Sequence, residues 1–122
     1  MSKLDSRWNV PADYSPDLDV GYRAVCDLVA RAGWPRGMMC ASDQIAYGAY
    51  RLAHETGTRV PDDCILVSID GSALNAWLAP WLVSVQVPFQ DFGTRIVERL
   101  LDIWAGKPPT DSILPHRLSA YR

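Results

Sequence analysis

The stretch from Gly37 to Gly71, GMMCASDQIAYGAYRLAHETGTRVPDDCILVSIDG, constrains the fold more than any other part of the chain. A short apolar run, Gly37 to Ala41, breaks into Ser42-Asp43-Gln44. Ser42 is suited to cap a helix, because its hydroxyl accepts from an N–H of the first turn. Ile45, Ala46, Ala49, Leu52 and Ala53 follow at helical spacing, and Gly57 is a stop signal. Val60-Pro61-Asp62-Asp63 then turns the chain into a second apolar run, Cys64 to Ile69, which ends at Asp70. The order is strand, helix, strand, with an acid at the tip of each strand. An open α/β sheet built from such units takes its ligand outside the carboxyl ends of the strands.

The flanking sequence continues the alternation. Residues 1–16 are rich in Asp, Ser and Pro and read as a loop or extended segment, with a short strand at Trp8-Asn9-Val10. A helix opens at Asp17; Tyr22, Val25, Cys26, Leu28, Val29 and Ala32 recur on one face, and Gly33 and Pro35 end it. Gly37–Ala41 and Cys64–Ile69 are uniformly apolar and read as buried strands. A short helix fits Leu74 to Leu78, and a third strand fits Leu82 to Val87. Phe92, Ile96, Val97, Leu100, Leu101 and Trp104 define a strongly amphipathic helix, closed by Gly106-Lys107-Pro108-Pro109. A last edge strand, interrupted by Pro115, fits within Ser112 to Tyr121. The fold class expected is α/β, a mostly parallel sheet with flanking helices.

Composition removes several functions. Net charge is −2, with acids and bases intermixed, so no basic face for nucleic acid is present. No apolar run approaches the roughly 20 residues of a membrane span. Cys26, Cys40 and Cys64 are odd in number and form no CxxC, which favours neither a disulfide framework nor a zinc site. They read as small buried hydrophobes of a reduced, cytoplasmic protein. His54 and His116 lack partners at metal spacing, and no GxSxG or phosphate-loop motif occurs. No metal, cofactor or catalytic residue is expected.

Binding residues are easier to nominate. Asp43 and Asp70 stand at strand tips, where a carboxylate accepts from vicinal hydroxyls of a sugar or from the amine edge of a base. Ser42 adds a hydroxyl, with helix capping as its competing role. Phe89, just past the third strand, and Trp77, Trp81 and Trp8 offer faces to the C–H side of a sugar ring. Trp34 and Trp104, at helix ends, read as packing residues. Tyr47, Tyr50, Arg51 and His54 share a second face of the central helix; they suit either burial under a neighbouring loop or a subunit contact.

Several segments together resemble LacI/GalR-type transcriptional regulators. Gly21-Tyr22-Arg23-Ala24 resembles the family's helix opening, and CASDQIAYGAYRLAHETGTRVPDD its "ANDxxAxGaxxaxxxxGxxVPdD". VSIDG is similar to "VGFDD", PWLVSVQVP to "PxLTTVxqP", and Ile113 to Leu118 to the closing strand. The resemblance implies part of a type I periplasmic-binding-protein fold, a flavodoxin-like C-terminal subdomain over residues 17–122 with most of the first subdomain and the helix-turn-helix absent. It implies a homodimer or domain-swapped oligomer, a sugar-like effector, and DNA contact only through a headpiece not encoded here. Asp70 matches the effector-contacting acid, Ser42 stands at the ligand-contacting Asn, and Phe89 at the aromatic that closes the site. Ser42, Gly71 and Ser68 depart from the family's Asn, Asp and Gly. The dimer face would hold Tyr47, Tyr50, Arg51 and His54 with Leu74 and Leu78. The amphipathic helix at Gln90–Trp104 would pack on the first subdomain in the family. Here it is expected to dock on the chain's own sheet or on a second chain. Alternatives from other classes are a transport-type sugar-binding protein of the same fold, a dimerisation module without ligand, and an enzyme using Asp43 and Asp70 as a carboxylate pair.

Overall fold

Three parallel strands and one antiparallel strand form a single sheet in the order β1-β2-β3-β4. The computed structural model describes residues 18–120. The elements are α1 (Leu18–Ala32), β1 (Gly37–Met39), α2 (Asp43–Thr56), β2 (Ile65–Asp70), α3 (Asn75–Leu78), β3 (Val83–Gln86), α4 (Phe89–Trp104) and β4 (Arg117–Ala120). The possible strand at Trp8–Val10 lies outside the described residues.

Local chemistry accounts for most of the boundaries. Ser42 has extended backbone, and its Oγ accepts from the Ile45 N–H at 3.2 Å, so α2 starts where a cap is available. Gly57 closes the same helix at φ 73°, a left-handed conformation that costs glycine little. Pro115 lacks an N–H for a ladder, and β4 begins only two residues later, at Arg117. The expected strand over Ser112–Tyr121 is therefore confined to its second half. β1 also differs from expectation. It is an edge strand in the described sheet, and Met39 is 61% exposed rather than buried.

The core gathers Val25, Cys40, Ala46, Ala49, Leu52, Cys64, Leu66, Ala79 and Leu82 between the sheet and the α1–α2 pair. Cys40 and Cys64 are buried free thiols, and burial pushes Cys40 up to about 12, which leaves it an inert neutral hydrophobe. Trp34 packs against this core, as expected, whereas Trp104 is 76% exposed.

Two glycines set the α1–α2 approach. A Cβ on Gly48 would stand 2.1 Å from the Leu18 carbonyl oxygen, and one on Gly21 would stand 2.4 Å from that of Ile45. Both contacts are with backbone, which cannot rotate aside. Gly48→Ala is expected to part the two helices and cost about 1–3 kcal/mol. Urea unfolding measures it, and a midpoint equal to the wild type would show the seam to be compliant.

α4 leaves the body. It has no buried residue, and Ile96, Val97 and Leu101 are each more than half exposed. The helix does not dock on the chain's own sheet, so that half of the expectation is corrected. Among the described residues the returning segment meets it: Arg99 Nη1 donates to Thr110 Oγ1 at 2.5 Å, and Leu114 lines a hollow of about 420 Å³ with Phe92, Ile96 and Leu100.

Candidate functional site

The carboxyl ends of β2 and β3, the first turn of α4 and the start of β4 enclose an open cleft of about 680 Å³. Its lining includes Asp70, Gly71, Ser72, Gln86, Phe89, Asp91 and Arg117. Parallel topology puts these residues there, because β2 and β3 end at the same edge.

Asp70 is the cleft's most constrained residue. Its φ is 141°, a region that non-glycine residues rarely occupy and that costs of order 1–3 kcal/mol. Such strain persists where surrounding contacts hold it. Here Asp70 Oδ2 accepts from the Asp43 backbone N–H at 3.2 Å. The next residue admits no side chain, since a Cβ on Gly71 would lie 2.5 Å from the Gln86 Cα. The Gly71 N–H donates to Ser84 Oγ at 3.0 Å.

Asp43 has a different place from the one expected. It is 2% exposed, and its carboxylate is saturated by this chain's own donors. Oδ1 accepts from the hydroxyls of Ser68 at 2.5 Å and Ser84 at 2.7 Å. Oδ2 accepts from the Ser72 N–H and from Asn75 Nδ2, each at 2.8 Å. Burial raises its affinity for a proton, but the four donors outweigh burial and hold the carboxyl below its usual range. It stands beneath the cleft rather than in it. This also corrects its pairing with Asp70 as a catalytic dyad, because one of the two has no free lone pair to offer.

Ser42 is buried, and the bond of its Oγ to Ile45 makes it a cap; it does not line the cleft. Phe89 lines the cleft, stays 59% exposed, and meets Phe92 edge-on at 5.6 Å. Trp77 is 84% exposed on α3 and is absent from the cleft lining. Its neighbours Leu74 and Leu78 are also exposed, and the three large apolar side chains belong to one short segment.

The α2 face is partly covered within the chain. Tyr50 stacks on Trp81 with ring centroids 4.0 Å apart, and Tyr47 meets the same indole edge-on. The Tyr47 hydroxyl donates to Asn75 Oδ1 at 2.5 Å. Arg51 and His54 remain exposed; Arg51 pairs with Glu55 at 2.9 Å and lies over the Tyr22 ring. Burial under a neighbouring segment thus describes the tyrosines, whereas Leu74, Trp77 and Leu78, and on α2 Arg51 and His54, stay exposed.

Gln86, Arg117, Ser68, Ser84 and Asn75 were not nominated from sequence. Ser68 and Ser84 carried a signal, since a hydroxyl inside an apolar strand needs a partner. Among the described residues no group of three or more His, Cys, Asp or Glu is placed to hold a metal ion. No described helix is long and apolar enough to cross a membrane.

A family model described as periplasmic binding protein-like domain matches residues 1–120. The chain belongs to this family. Within it, the chain corresponds to part of the effector-binding domain of LacI/GalR-type regulators. The HTH-type transcriptional repressor PurR from Escherichia coli O1:K1 is 31% identical over 102 residues. That alignment covers 84% of this chain and 29% of the repressor, so the chain spans under a third of its relative's length. A transcriptional regulator CelR–cellobiose complex superposes with a TM-score of 0.84 at 27% identity, over 96% of this chain and 36% of that one. The Lac repressor bound to ONPG in its repressed state gives 0.78 at 28% identity, over 84% and 32% of the respective chains. The two regulators thus share the fold of the present chain over most of its length.

Proposed function

We propose that this chain is the effector-sensing and dimerisation part of a LacI/PurR-type regulator, with a sugar or related polyol as effector. It does not catalyse a reaction and does not contact operator DNA on its own. The observation that carries the reading is Asp70, a carboxylate held in a strained backbone conformation at the mouth of a carboxyl-edge cleft. Phe89 supplies an apolar face beside it, and Gln86 an amide. Support also comes from the cellobiose held by the CelR relative. The sensor passes its signal as a choice between arrangements of two subdomains, so occupancy matters through differential affinity.

The second function, self-association, uses the exposed α3 segment, which the Asp43 network reaches through Asn75. Leu74, Trp77 and Leu78, together with Arg51 and His54 on α2, supply the contacts for a second copy of the chain. Apolar anchors with an Arg at the margin are the usual composition of such a contact.

Asp70 gives the test. Asp70→Gly relieves the positive φ but removes the acceptor for the Asp43 N–H, so the two effects offset and stability is expected to change by less than about 1 kcal/mol. The same change is expected to weaken binding of cellobiose, or of whichever related polyol the wild type binds, at least tenfold, since a hydrogen bond donated to a charged acceptor contributes about 1.5–3 kcal/mol. Thermal unfolding and calorimetric titration measure the pair. A variant that folds and binds as well as the wild type would remove Asp70 from the site.

A further inference from the structure

Asp70, Gln86 and Arg117 form a row across three adjacent strands. Asp70 is in register with Gln86, and Gln86 is in register with Arg117. Residues paired in this way project to the same face of a sheet. All three line the cleft. With neighbouring strands about 4.8 Å apart, the two ends of the row stand about 10 Å apart along the cleft floor.

The two ends differ in chemistry. Asp70 is an acceptor for hydroxyls. Arg117 is a fixed cation whose planar fork matches a carboxylate or phosphate. Among the described residues it has no acid partner, whereas Arg23, Arg51, Arg59, Arg95 and Arg99 each hold one. Asp91 also lines the cleft, but it sits in the first turn of α4, where the positive end of the helix dipole offsets it.

We propose that the cleft takes a polyhydroxylated ligand bearing an anionic group, with Asp70 on the hydroxyls and Arg117 on the anion. A sugar acid or a sugar phosphate reaches both ends, whereas a neutral hexose fills only the Asp70 end. The inference rests on the effector reading of this cleft and adds the class of effector.

The experiment uses the full chain, isotope-labelled, with amide shifts followed during titration. The probes are D-glucose, D-gluconate, D-glucose 6-phosphate and inorganic phosphate. Gluconate or glucose 6-phosphate is expected to bind about tenfold or more tightly than glucose, the size of one charge-assisted contact. Which of the two binds better distinguishes a carboxylate from a phosphate. Arg117→Gln is expected to abolish the preference and leave glucose affinity in place, and Arg117→Lys to restore part of it. Equal affinity for glucose and both anions, or a preference that survives in Arg117→Gln, would overturn the proposal while the polyol reading stands. Phosphate moving Gln86 and Arg117 while no sugar moves Asp70–Ser72 would support the anion end and sink the polyol reading.

Discussion

Asp43→Ala is expected to destabilise the chain by about 3–5 kcal/mol, the cost of breaking a buried charged network from one side. The carboxylate removed is the common acceptor for Ser68, Ser84, Ser72 and Asn75. Ser68, Ser84 and Asn75 are fully buried, so their donors would be left without an acceptor, whereas the Ser72 N–H borders the cleft. Asp43→Asn keeps the shape but turns one acceptor into a donor facing donors, so it is expected to approach the alanine result. Guanidinium unfolding of the three proteins measures this. A loss below about 1 kcal/mol, the level of an ordinary surface change, would mean the network does not hold the fold.

The network also carries a pH signature. The folded carboxyl of Asp43 lies below its unfolded value of about 3.9. A depressed folded value stabilises the protein fully above the unfolded one, and the stabilisation is lost as pH falls through the folded one. Wild-type stability should therefore drop below about pH 4 more steeply than that of Asp43→Asn. Asp63, held down to about 2 by Arg59, titrates in the same direction but remains in both proteins, so the difference isolates Asp43.

The second large effect concerns the open face. Trp77 is the most exposed of the described tryptophans, and it is flanked by Leu74 and Leu78. An anchor of this size at the centre of a contact contributes about 2 kcal/mol or more. Trp77→Glu is expected to weaken self-association about thirtyfold or more, with the monomer as stable as the wild type because the side chain packs on nothing in its own chain. Sedimentation equilibrium reads the association, and thermal unfolding reads the monomer. Unchanged association would exclude this face. The uncovered apolar side of α4 would then be the remaining candidate.

How far the sequence revealed this arrangement depends on the range of the interaction involved. The α2 boundaries were legible because capping is local: Ser42 and Gly57 act on groups within a few residues. The cleft position was legible because strand, helix, strand fixes which ends of the strands converge, and Asp70 and Phe89 follow from it. Asp43 was misread because its partners come from β2, β3 and the α3 turn, at separations of 25 to 41 residues. A lone acid at a strand tip looks the same in sequence whether it faces a ligand or four donors. Trp77 was misplaced for the same reason, since a four-residue helix has too short a pattern to show which side it presents. The α4 stripe was plain in the sequence, but no periodicity names what covers it. The row of Gln86 and Arg117 depends on register with an antiparallel strand, which spacing along the chain does not encode.

The central claim is that the strand–helix–strand unit and the segment after it carry a ligand cleft at Asp70 and a subunit contact at Leu74–Leu78. Amide hydrogen exchange tests it most directly, with and without cellobiose or the tightest-binding probe, at protein concentrations above and below dimer dissociation. The account predicts that ligand slows exchange at Asp70–Ser72 and at the start of α4, and that raising concentration slows it at Leu74–Leu78. Ligand protection confined to Leu74–Leu78, or concentration-dependent protection confined to Asp70–Ser72, would contradict it.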